Sequence, residues 1–370
     1  MEVVEGDSIR HAGGSMSDSI QPTPGAPPAV TSHKRRVRYA GKNPRRFEEK
    51  YKEHQQVGDT VAKVLASGKT PAGTHRPIMV AEILAVLAPL PGEVAVDCTL
   101  GYGGHAEALL GALQPGGRLL GLDADPIELP KTEARLRALG FGPAAFTAYR
   151  TNFAGLPRVI AEAGLTGVDL VLADLGVSSM QIDNPVRGFS VKDSGPLDMR
   201  MNPQRGQPAA ALIAKIGPEA LARLLVENAD EPHATGLGAA LAGRDFATTT
   251  ALGEAIRRAL PRVTRDEAGL SIRRVFQALR IAVNDEFSAL TTLLLQLPKV
   301  LNPGGRVAIL TFHSGEDRRV KKAFEAGLQA GVYTETAQEV LRPSEAERRE
   351  NTRSNPAKLR WAKAPPRGSM

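Results

Sequence analysis

The stretch Val94-Ala95-Val96-Asp97-Cys98-Thr99-Leu100-Gly101-Tyr102-Gly103-Gly104-His105 reads as an apolar strand ending on an acid, then a turn, then a glycine cluster that opens a helical stretch from Ala106 to Leu113. Glycines at such a junction let a ligand approach the backbone at a helix N-terminus. A second strand signal, Arg118-Leu119-Leu120-Gly121-Leu122-Asp123, follows. Its terminal carboxylate comes about 20 residues after the glycines, where an acid can accept from both hydroxyls of a ribose. Nicotinamide dinucleotide enzymes share this outline, and a tight turn with no ligand can look the same. Two details set the stretch apart from a pyrophosphate loop. Cys98, Thr99 and Leu100 intervene between Asp97 and the first glycine, and Asp97 itself would repel two phosphates. A cofactor with a cationic sulfonium and an amino-acid end tolerates that acid.

Working outward, a helix is expected from Pro126 to Leu139, a strand from Ala145 to Tyr149, a short helix around Ala154 to Ala163 and a nearly continuous apolar strand from Val168 to Leu175. Runs of that kind are buried on both faces, as in a parallel sheet flanked by helices. From Pro185 to Asp285 the rhythm breaks into short helices, among them Pro218 to Glu227 and Thr250 to Leu260. Strand signals return at Arg306 to Thr311, and Lys358-Leu359-Arg360-Trp361 has the alternation of a final strand. The pattern predicts an α/β fold, a doubly wound sheet with an inserted all-helical domain. The expected boundaries are a flexible basic arm over residues 1–56, the first part of the sheet domain over 57–184, the helical insertion over 185–285, the second part over 286–363 and a tail over 364–370.

The 370 residues, 42% of them hydrophobic, suffice for such a domain and its insertion. A single cysteine, Cys98, excludes an internal disulfide framework and a clustered cysteine metal site, and it fits a reducing compartment. The chain shows neither a leader pattern nor the roughly 18 apolar residues of a membrane span, so a cytoplasmic protein without a membrane partner is expected. The net charge of +7 favours polyanions, although a basic surface can serve solubility alone. His33 to Arg46 holds seven Lys or Arg and no acid, the pattern of either a phosphate-binding arm or a solvated tail.

Further chemistry gathers where the strands end. Asp174-Leu175-Gly176-Val177-Ser178-Ser179 follows the fourth strand, at the edge where doubly wound sheets bind ligands, yet these are also ordinary turn residues. Arg187-Gly188-Phe189-Ser190, through Gly195 to Met201, could clamp a nucleotide or pack the insertion against the sheet. His313, after the last apolar strand, suits a structural hydrogen bond as well as it suits acid-base work. Glu316, Asp317, Arg318, Arg319, Lys321 and Lys322 run from acids to bases, as a helix dipole alone would favour.

Six segments together carry a resemblance: His75-Arg76-Pro77, Asp97 to His105, Asp174 to Gln181, Gly195 to Met201, Phe276-Gln277-Ala278-Leu279-Arg280 and Phe312-His313-Ser314. In order and spacing, from about Thr74 to Lys363, they resemble the bacterial 16S ribosomal RNA cytosine-N4-methyltransferase family (RsmH, also called MraW). The resemblance implies a class I methyltransferase fold, S-adenosyl-L-methionine as cofactor, and a decoding-region cytidine of 16S ribosomal RNA, within the small ribosomal subunit, as substrate. DNA is not an expected partner. By position, the family implies that Gly103, Gly104 and His105 line the cofactor, Asp123 meets its ribose, Phe153 flanks the adenine, and Asp174 and Gln181 complete the pocket. The chain departs from the family at Gly315, where leucine is common, and at Asn202, where an acid is common. Asp174 is the expected catalytic residue, because a carboxylate accepting a cytosine N4–H localises the nitrogen lone pair and guides the departing proton. Many amino-methyltransferases carry an Asp/Asn-Pro-Pro-aromatic segment here, whereas this chain has Asp-Leu-Gly-Val, so a role for Asp174 toward the cofactor alone stays open. Two other classes stand beside the enzyme reading: an RNA-binding assembly factor with a vestigial methyltransferase fold, and a nicotinamide-dependent oxidoreductase.

Overall fold

A computed structural model describes residues 77–367; His75, Arg76, the basic arm, the expected start of the fold at Val57 and the last three residues lie outside them. Helix α1 (Val80–Leu87) precedes strand β1 (Val94–Asp97), α2 (Gly104–Leu113), β2 (Arg118–Asp123), α3 (Leu129–Ala138), β3 (Phe146–Arg150), α4 (Leu156–Glu162) and β4 (Val168–Asp174). After the insertion come α11 (Glu286–Val300), β5 (Leu301–Thr311), α12 (Ser314–Gln329), β6 (Glu335–Thr336), α13 (Glu345–Glu350) and β7 (Lys358–Lys363). The sheet order is β3-β2-β1-β4-β5-β7-β6. Strands β1 to β5 pair in parallel, and β7 runs antiparallel to both β5 and β6.

Successive strand residues point to opposite faces, and both faces are buried. Val96, Leu120, Val171 and Ile309 enter one core with Leu290, Leu293 and Leu297 of α11. Ala95, Leu119, Leu170 and Ala308 enter the other with Ile83 of α1 and Leu109 of α2. The order reverses between β1 and β4, so their C-terminal ends frame the crevice in which such sheets hold ligands.

Between β4 and β5 lie α5 (Ser179–Asp183), α6 (Ala209–Lys215), α7 (Pro218–Ala229), α8 (Ala234–Leu241), α9 (Thr249–Ala259) and α10 (Arg265–Asn284). A third hydrophobic cluster, built wholly from residues between Phe189 and Val283, holds these helices together. The short helices expected here include one long exception, the 20-residue α10. Its buried Ile272, Val275, Phe276 and Leu279 follow the i, i+3, i+4, i+7 spacing of a core-facing stripe. A capping box between Thr264 and Glu267 opens it. The helix ends at Asp285, whose left-handed backbone (φ 51°) turns the chain directly into α11. Strand β5 begins at Leu301, ahead of the expected Arg306, and carries the Pro303-Gly304-Gly305 stretch within it.

Candidate active site

Three parallel strands end on aspartates: β1 on Asp97, β2 on Asp123 and β4 on Asp174. The register sets Asp97 opposite both Gly121 and Leu172, so these carboxylates gather at one edge of the sheet. Between β1 and α2 the chain turns through Gly101 (φ 48°) and Gly103 (φ 81°), left-handed conformations that side chains resist. Helix α2 has no side-chain cap, which leaves first-turn N–H groups free for a ligand.

A cavity of about 420 Å³ opens along this edge. Each residue that the family resemblance placed at the cofactor lines it: Gly103, Gly104, His105, Asp123, Phe153, Asp174 and Gln181. They differ in how free they are. Asp123 accepts N–H bonds from Gly101 (2.8 Å) and Asp125 (2.8 Å), with lone pairs left over on both oxygens. Phe153 sits in a single 3₁₀ turn after β3. Gln181 is more committed: its carbonyl accepts the Ser178 N–H in a capping box, and its amide donates to Asp125 Oδ2 at 2.8 Å. Arg187 donates to the same Asp125 oxygen at 2.7 Å and to the carbonyls of Arg200 and Met201. Arg187 thereby ties the 187–201 segment to the loop after β2, a packing role rather than a free clamp.

The His105 ring places Nε2 2.8 Å from the Ile78 carbonyl. That nitrogen must donate, so Nδ1 is the bare one, and it faces Asp174 Oδ2 at 3.5 Å. Burial holds the His105 pKa below the ordinary imidazole value, so the ring is neutral. Burial raises Asp174 to about 7, with the charge of Glu316 adding to the effect. Its Oδ1 is buried and has no hydrogen-bond partner. Asp97 and Asp123 are each raised to about 6, chiefly by burial. Asp123 and Asp174 in the lining, the latter with an orphaned oxygen, and Asp97 buried behind them fit a positively charged ligand with ammonium and hydroxyl donors, and they fit a pyrophosphate badly.

The cavity's other wall lies mostly outside that set, although its Met201 falls in the Gly195–Met201 segment weighed as a nucleotide clamp. Met201 of the 187–201 segment, Arg280 and Asn284 of α10, Phe287 of α11, Phe312 after β5 and Glu316 of α12 close it. Arg280 holds Glu286 with two 2.8 Å bonds. Glu316 accepts the Phe312 N–H at 2.8 Å and lies 3.1 Å from His313 Nε2. His313 caps α12, its Nδ1 accepting the Glu316 N–H, so the structural role weighed for it is the one present. The Phe276 to Arg280 segment was the available signal for this wall, but a helical period hides which end of it reaches a ligand.

With this geometry in place, comparisons identify the chain's relatives. The family model described as "MraW methylase family" matches residues 72–365. A protein of Alkaliphilus metalliredigens named "Ribosomal RNA small subunit methyltransferase H 2" is 51% identical, over 89% of this chain and 97% of its own length. "Ribosomal RNA small subunit methyltransferase H 1" of Lachnoclostridium phytofermentans is 48% identical over 92% of this chain and 95% of its own length. Among solved structures, an rRNA methylase from Streptococcus thermophilus aligns with a TM-score of 0.37 at 12% identity, covering 79% of this chain and 99% of that one, a likeness too distant to bear on the site. A family model that spans most of the chain and close relatives over about nine-tenths of it agree: the chain belongs to the MraW methylase family.

Proposed function

We propose that this methyltransferase modifies the exocyclic N4 of a cytidine in the decoding region of 16S ribosomal RNA, acting in the cytoplasm on the small ribosomal subunit. Its cofactor is S-adenosyl-L-methionine, which supplies an electrophilic methyl group. The observation that carries the reading is Asp174: an orphaned, buried carboxylate oxygen between the glycine-loop wall and the Arg280–Phe287 wall. The relatives' names, small-subunit ribosomal RNA methyltransferases, support the substrate class.

In this reading Gly103, Gly104, His105, Asp123 and Phe153 hold the donor. Asp123 accepts from ribose hydroxyls and Phe153 offers a face to the purine. Asp97, charged and buried, favours the donor's cationic portion. Gln181 acts mainly by bracing Asp125 and the start of α5. Cytosine N4 is a weak nucleophile because its lone pair is delocalised into the ring. Asp174 Oδ1 would accept an N4–H, concentrate that lone pair and take the proton as the N–C bond forms and the donor's methyl–sulfur bond breaks. The bare Nδ1 of His105, 3.5 Å from Asp174 Oδ2, can accept a hydrogen bond from the carboxyl once Asp174 has taken the proton. Much of the rate comes from holding the base in line with the methyl group. We further propose that residues 185–285 form an inserted domain that grips RNA around the unstacked cytidine, while 57–184 and 286–363 build the catalytic sheet.

The deciding experiment is mass mapping of small-subunit ribosomal RNA from cells with and without this gene. One decoding-region cytidine lighter by a methyl group in the deletion strain is the expected result. Identical maps would discard the proposal.

A further inference from the structure

Phe287 occupies a prepared seat. Its ring Cζ lies 2.6 Å from where a Cβ on Gly315 would stand, so only the missing side chain there admits the ring. The carbonyl of the same glycine accepts an N–H from Arg319 at 3.0 Å. That bond holds the Arg319 guanidinium over the Phe287 ring, 3.5 Å from its centroid. The His313 ring leans on it at 5.8 Å. Gly315, read in the sequence as a departure from a common leucine, is thus the residue that sets the ring in place.

The seated ring borders the cavity. Beside it in the cavity lining, Arg280 gives two of its five N–H groups to Glu286. An aromatic face next to guanidinium donors suits a flat heterocycle with ring oxygen and nitrogen acceptors. Asp174 stands close enough to Glu316 of this wall for one charge to disturb the other. A base held here therefore lies near the proton-accepting carboxylate.

We propose that Phe287 is the platform on which the acceptor nucleobase stacks after leaving its RNA helix, and that Gly315 and Arg319 hold that platform in place. The assignment rests on the reading of the chain as an RNA base methyltransferase and adds the residue that grips the base. Base stacking on an aromatic side chain is sequence-tolerant and worth about 1–3 kcal/mol, so losing the ring raises KM for the RNA on the order of tenfold or more.

The test uses the full chain and small subunits from cells lacking the gene, with labelled S-adenosylmethionine and mapping of the labelled nucleotide. Phe287→Leu keeps apolar volume and removes the aromatic face. It should raise KM for the subunit about tenfold, with kcat changed far less and cofactor affinity by calorimetry unchanged. Phe287→Tyr should restore KM to near wild type. Gly315→Leu, which displaces the ring without altering it, should copy Phe287→Leu, and melting curves establish that each variant is folded. Unchanged KM in folded Phe287→Leu overturns the platform, as does an equal loss of cofactor binding, which would assign the ring to the donor side. A wild-type chain that labels a base other than cytidine, with the same sensitivity to Phe287→Leu, overturns the cytidine reading and upholds the platform. A wild-type chain that labels no nucleobase overturns both.

Discussion

His105 Nε2 is occupied by the Ile78 carbonyl, so its Nδ1 can only wait for a proton, and Asp174 is the neighbour able to bring one. If Asp174 is the acceptor, Asp174→Asn should cut single-turnover methylation about 10²-fold, within the usual range for a general base, while the RNA Kd stays near wild type. Wild-type rates at saturating cofactor would remove Asp174 from the chemistry. The same residues predict a pH dependence. Asp97 and Asp123 at about 6 and Asp174 at about 7 all lie above their ordinary value. Each therefore contributes stability that is full below the unfolded pKa near 4 and lost as pH rises through 6 to 7. The free protein should melt at lower temperature at pH 8 than at pH 6, and Asp174→Asn should flatten that slope. A cationic donor favours the ionised forms, so cofactor binding near pH 6 should release protons. Calorimetry in buffers of different ionisation enthalpy measures this, and uptake instead of release would contradict the acid-lined assignment.

At the level of elements, the buried Arg187–Asp125 pair and the Gln181 amide fasten the loop after β2 to the segment that leads into the insertion. Breaking a hydrogen bond to a buried charge costs about 1–3 kcal/mol. Gln181→Leu should accordingly lower the melting temperature by several degrees, whereas a melt matching the wild type would show the network to be slack. The strands that carry the site were legible from their residues alone, because a strand buried on both faces is a run of Val, Leu, Ile and Ala. Each run closes on an acid, as in Val94-Ala95-Val96-Asp97 and Leu170-Val171-Leu172-Ala173-Asp174. Helix α10 was less legible: Gly269 and the Arg273-Arg274 pair on its outer face interrupt the apolar run, and the stripe that sustains it appears only when neighbours bury it. Strand β6 has two residues and exists only through its pairing with β7. The site divided in the same way. Asp123 and Asp174 announced themselves as acids at strand ends, whereas Phe287 read as one more apolar residue, since its place against Gly315 joins elements distant in sequence.

For the whole molecule, charge supplies the remaining prediction. The run His33 to Arg46 lies outside the described residues, and its seven positive charges without an acid are a fact of sequence. Deleting Met1 to Lys50 should leave cofactor affinity intact, weaken binding to small subunits and flatten its salt dependence, because phosphate contacts release counterions. Equal affinities and equal slopes across a salt series would mean that the arm does not touch RNA. Among the described residues no helix is long and apolar enough to cross a membrane.

One residue, Asp285, separates the last helix of the insertion from the first helix that packs back onto the sheet, and the Arg280–Glu286 pair closes across it. If the 185–285 segment grips RNA as proposed, a pull on α10 would be delivered at the cavity wall through this single-residue junction. On that proposal, recognition of the surrounding RNA and capture of the base would share one fulcrum at Asp285.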